Sequence, residues 1–101
     1  MGYTEIVQDS VFGEQLERLL RQYPRVSEIW ECADWQIGKD HDIFPVAFIH
    51  EGIPIHVWRS DESEESDIPG FPTFEIAYYF DLDDGCIHFL GIRTVVDEPI
   101  I

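Results

Sequence analysis

The chain has 101 residues, enough for one domain with a single core, and its 45% hydrophobic and 14% aromatic content excludes a disordered acidic tail. Its 21 acidic and 6 basic residues give a formal charge of −15, which opposes contact with phosphate backbones and excludes a nucleic-acid binder of the ordinary basic kind. A macromolecule recognised by charge must then be basic, and direct binding to free nucleic acid is not expected.

The opening "MGYTEIVQDS" has no basic segment or apolar run of a secretory leader. Cys32 and Cys86 are far apart and form no CxxC pair, so a cytoplasmic, reduced chain is expected. No apolar stretch approaches the ~20 residues of a membrane span. "YTEIV", Tyr3 to Val7, alternates as a first strand. Asp9 or Ser10 then caps a helix whose apolar stripe is Phe12, Leu16, Leu19, Leu20 and Tyr23. Pro24 ends that helix and opens a second, with Val26, Ile29, Trp30, Ala33 and Ile37 on one face and Gly38 placed to stop it.

From Phe44 the period changes to two: "FPVAFIH", a turn at "EGIP", then "IHVWR". "SDESEESD", Ser60 to Asp67, is read as a solvated loop whose polar residues bury nothing. "FPTFEIAYYF" and "CIHFLGIRTV" follow, joined by "DLDDG", where Asp84-Gly85 predicts a two-residue type I′ turn with Asp81 opposite His88. The expected fold is one α+β domain over residues 1–101, ordered β-αα-ββ-ββ. A helical hairpin packs on one face of a four- or five-stranded, mainly antiparallel sheet.

This order, with "LERLLRQYPRV" leading into a second helix and "FEIAYYFDLDDGCIHFLGIR" as a closing hairpin, resembles the RelE/ParE superfamily of bacterial toxins from toxin–antitoxin pairs. The resemblance implies a toxin-like protein neutralised by an antitoxin segment lying along its sheet or helices. In the RelE-like branch it implies ribosome-dependent mRNA cleavage by cations that hold phosphate, beside a group that activates the ribose 2′-hydroxyl. By position Arg93 matches the basic residue ending the last strand, Arg59 a basic residue on a middle strand, and Tyr78 or Tyr79 a phenol. Arg59, Tyr79 and Arg93 are thus the candidate catalytic residues. Glu75 departs from the pattern: it stands where the family has a basic residue, and a carboxylate there repels phosphate. Weakened or absent RNA cleavage follows. The ParE-like branch, which acts on gyrase, does not need the same cations.

Composition supports a different reading, a non-enzymatic acidic module that binds a basic protein or mimics nucleic-acid charge. In it Arg59 and Arg93 pair with local carboxylates, of which the chain has a surplus. His41, His50, His56 and His88 follow no HxH or HExxH spacing, and no metal or cofactor is assigned to them. Cys86 and His88 share a strand face ~7 Å apart, too far for a nucleophile and its base. "DLDDG" lacks the glycine and glutamate spacing of a calcium loop. Tyr78 and Tyr79 point to opposite faces, so one of them lies away from the core, where exposed aromatics ringed by carboxylates would form a protein-binding surface.

Overall fold

In a computed structural model, residues 4–62 and 72–95 are described. The order is β1 (Ile6–Gln8), α1 (Ser10–Gln22), α2 (Val26–Lys39), β2 (Val46–His50), β3 (Ile53–Arg59), β4 (Thr73–Asp81) and β5 (Cys86–Val95), with 3-10 turns at His41–Ile43 and Ser60–Glu62. The five strands form one sheet in the order β1-β5-β4-β3-β2. β1 runs parallel to β5 and the other pairings are antiparallel, so the sheet is mixed.

Both helical stripes turn inward. Phe12 and Leu16 of α1 and Val26, Ile29, Ala33 and Ile37 of α2 join Trp58, Phe74, Ile76, Tyr78, Ile87, Phe89 and Ile92 in one buried cluster. Leu19, Leu20, Tyr23 and Trp30 pack against it half-buried. The alternating positions Phe74, Ile76 and Tyr78 put the helices on one face of β4. Glu75, Ala77 and Tyr79 are left on the other, which carries no helix among the described residues.

The sequence reading is corrected in several places. The first strand spans Ile6–Gln8, with Thr4 and Glu5 before it outside the strand, and Tyr3 lies outside the described residues. Asp9 is the residue before α1, but its side chain makes no capping bond; its carbonyl accepts from the Gly13 amide at 3.0 Å. Pro24 and Arg25 form a turn, and α2 starts at Val26. Gly38 does not stop α2: it is buried inside the helix, its carbonyl accepting the Thr4 amide at 2.8 Å, and Asp40 follows the last helical residue. The acidic segment is not wholly solvated. Ser60 is 2% exposed, and its hydroxyl oxygen accepts the Phe74 amide at 2.9 Å, closing the start of β4. Residues 63–67 of that segment lie outside the described residues.

The tight type I′ shape occurs at Glu51-Gly52, whose φ values are 52° and 80°. Asp84-Gly85 belongs instead to a four-residue loop, because Asp81 pairs with Cys86. Two aspartates hold the longer loop. Asp81 Oδ1 accepts from the Asp83 amide at 2.8 Å and Asp84 Oδ1 from the Cys86 amide at 2.8 Å.

A bulge decides which face the end of β5 presents. Tyr78 pairs with Phe89 but Ala77 with Gly91, leaving Leu90 as an extra residue. Without it Arg93 would share the face of Ile87 and Phe89. With it Ile92 enters the core and Arg93 stands opposite Glu75. The Ile92 amide is satisfied by Gln15 Oε1 of α1 at 2.9 Å. A Cβ at position 91 would come within 3.1 Å of that same oxygen, which is why a glycine suits the bulge.

Candidate functional site

Cross-strand register on the helix-free face brings Arg59 of β3, Glu75 of β4 and Arg93 of β5 into one row. Glu75 is the hub. Its Oε2 accepts from Arg59 Nη1 at 3.1 Å, and its Oε1 accepts from Arg93 Nε at 3.0 Å. Arg59 also forks onto Asp61, with Nε to Oδ1 and Nη2 to Oδ2 both at 3.1 Å. That hydrogen bond holds the Asp61 carboxyl below the usual carboxylate range, its attraction outweighing partial loss of solvent. The Glu75 side chain is 16% exposed, whereas Arg93 is 79% exposed. The carboxylate is therefore the settled member of the row and Arg93 the wet one.

Tyr79, the third residue expected at the site, lies on the same face four positions along β4 from Glu75, about 13 Å by strand geometry. Its ring stacks on His88, centroids 5.0 Å apart and planes 12° apart. Burial, followed by the charges of Asp81, Asp9 and Asp84, pushes its phenol above the ordinary range. A neutral phenol among carboxylates is a poor general base at neutral pH. The fold thus gathers Arg59 with Arg93 and leaves Tyr79 in separate company. Tyr78 is buried on the helix side, donating to the His41 carbonyl at 2.8 Å, and burial followed by Asp42 and Asp40 pushes its phenol up strongly.

At the β4–β5 loop, His88 Nε2 lies 2.7 Å from Asp84 Oδ2 and 3.9 Å from Asp81 Oδ2. The expected contact between Asp81 and His88 is present at the longer distance, but its register is corrected: Tyr79 is opposite His88, Asp81 is opposite Cys86, and Asp84 is the closer partner of His88. The Asp84 carboxyl is held low chiefly by the Cys86 amide, then by His88. Asp81, Asp84 and His88 have ligand atoms within 4.8 Å of one another, the group among the described residues able to meet at a cation. Pairing of His88 with the two carboxylates accounts for this geometry without one. The Cys86 thiol is pushed up by loss of solvent, then by Asp84, Glu5 and Asp81, which opposes the thiolate that nucleophilic chemistry requires.

Two surface features escaped the sequence reading. A shallow trough of about 300 Å³ lies on the helix-free face, with Ala77 and Gly91 as its small residues, Phe48, Val57 and Gln15 beside them, and Glu75 and Arg93 at its end. β2, an outer strand of the sheet, is exposed at all five positions, including Val46, Phe48 and Ile49. Its apolar run read as an ordinary strand of a hairpin. Nothing local in the sequence marks it as the sheet's edge.

No helix among the described residues is long and apolar enough to cross a membrane. The chain matches no protein-family model, no curated protein and no solved structure.

Proposed function

We propose that the chain is a non-enzymatic acidic module that binds a cationic protein partner. The observation that carries this reading is the row Arg59–Glu75–Arg93. Two cations that would have to hold phosphate already share one carboxylate, and Asp61 takes Arg59 from its other side. Displacing those contacts for a phosphate would leave Glu75, at 16% exposure, facing a second anion. The raised phenol of Tyr79 and raised thiol of Cys86 support the same reading, since neither offers a base or nucleophile at neutral pH. With a charge of −15, attraction to a basic surface is long-ranged at low salt.

Immobilised protein offered to a mixed protein extract is expected to retain basic proteins, which elute at about 1 M salt, where the screening length falls to about 3 Å. A retained set that is neutral or acidic and indifferent to salt would sink the reading.

A second reading, a divergent RelE/ParE-type toxin of a toxin–antitoxin module, is supported by the order of two helices between a first strand and two hairpins. It places residual chemistry on Arg59, Tyr79 and Arg93. Under it, expression from a tightly controlled promoter arrests growth and Arg93→Ala relieves the arrest. Under the module reading, both versions leave growth unchanged.

A further inference from the structure

We propose that the outer edge of β2 takes up an extended segment of the cationic partner as a sixth strand of the sheet, a segment with alternating apolar residues flanked by lysines or arginines. The inference rests on the acidic-module reading and specifies where and how the partner binds.

β2 lies at the end of the strand order with its far side unpaired among the described residues. An edge of this kind offers free amides and carbonyls, and soluble proteins usually blunt it with a lysine, a proline or an inward charge. From Val46 to Ile49 there is none of these. The one blunting feature is a bulge at Ala47, between Val46 and Phe48, and beyond it Phe48 to His50 pair regularly with β3. The side chains are apolar and wet, Ile49 being 68% exposed. Five residues span about 17 Å, which suits a short strand addition.

The ends of the edge differ from its middle. Asp40 and Asp42 stand before β2 and Glu51 directly after it, all exposed. An apolar centre with carboxylates at both ends fits a strand that is apolar in the middle and cationic at its ends. A second copy of this chain fits poorly. Each copy carries −15, and pairing β2 with its own image sets these carboxylates against their equivalents. The charge adds to the slight protection of the bulge, turning away like chains and admitting basic ones.

The test uses the full chain and a synthetic peptide with two lysines at each end of a five-residue core alternating valine and threonine. A second peptide of the same sequence is methylated at every core amide nitrogen, which keeps charge and side chains but removes main-chain donors. The plain peptide is expected to bind, more weakly as salt rises, and to protect β2 amides from hydrogen exchange. Methylation should weaken binding about tenfold or more. Ile49→Lys should do likewise, whereas Val11→Lys, the same change at an exposed position of α1, should have little effect. Equal binding of both peptides, or Ile49→Lys behaving like Val11→Lys, overturns the edge inference and leaves the acidic-module reading standing. Failure of both peptides to bind overturns both. A dimer at low salt that Ile49→Lys dissociates assigns the edge to a second copy and overturns the inference too.

Discussion

Trp58→Ala is expected to lower stability by about 3–5 kcal/mol, the range for losing a large aromatic from a well-packed core. Trp58 is 1% exposed on β3, paired with Ile76 on the helix-covered face. Its indole nitrogen donates to Gln36 Oε1 of α2 at 2.8 Å. The residue therefore fills volume between sheet and helix and also fixes their spacing through a polar contact. Truncation leaves a cavity and removes one hydrogen bond to the half-buried Gln36 side chain, two costs that act in the same direction. Small domains are stable by only about 5–15 kcal/mol in total, so the variant should lose roughly a fifth or more of that. Urea unfolding followed by circular dichroism checks it. Trp58→Phe, which keeps a ring but no donor, should fall between wild type and alanine. An alanine variant within about 1 kcal/mol of wild type would mean that Trp58 does not sit where the core places it.

Much of that core was readable from spacing. The stripes Phe12, Leu16 and Val26, Ile29, Ala33, Ile37 are, with Gly38, the buried positions of their helices, and Phe74, Ile76 and Tyr78 are those of β4. These follow from periods of 3.6 and 2, which a single segment records. What was not readable depends on partners distant in sequence. The parallel pairing of β1 with β5 joins Ile6 to Ile87, and nothing within either segment announces it. The β4–β5 turn was misread because Asp-Gly favours a tight turn, while Asp81 and Asp84 together stabilise a longer one.

The candidate site shows the same division. Glu75 alternates with Phe74 and Ile76, so its outward direction was legible. The meeting of Arg93 with Glu75 required the bulge at Leu90, without which strict alternation turns Arg93 toward the helices. The pairing of arginines with nearby acids was expected from composition alone. That one carboxylate would serve both of them depended on registers across three strands.

Glu75→Lys tests that shared carboxylate. It is expected to destabilise the protein by roughly 1–3 kcal/mol, although it makes the chain less acidic. Removing one partner of a fully buried ion pair costs about 3–5 kcal/mol. Here Arg93 is 79% exposed and Arg59 about a third exposed, so solvent screens much of the loss and about 1–2 kcal/mol is the appropriate share. A lysine in the same place adds repulsion from cations directly opposite on both neighbouring strands, up to about 1 kcal/mol. Relief of the overall −15 works the other way, but it is spread over the whole surface and screened beyond about 10 Å at 0.1 M salt. The local term should therefore win, lowering the melting temperature by roughly 4–24 °C at about 4–8 °C per kcal/mol. A charge swap separates the two effects. Glu75→Lys combined with Arg93→Glu restores an opposite-charge pair at the same register and should recover part of the loss, despite returning the net charge to −15. If the single change instead stabilises the protein, and the swap removes that gain, global repulsion outweighs the row and the arginines are not held as the contacts at 3.0 and 3.1 Å indicate.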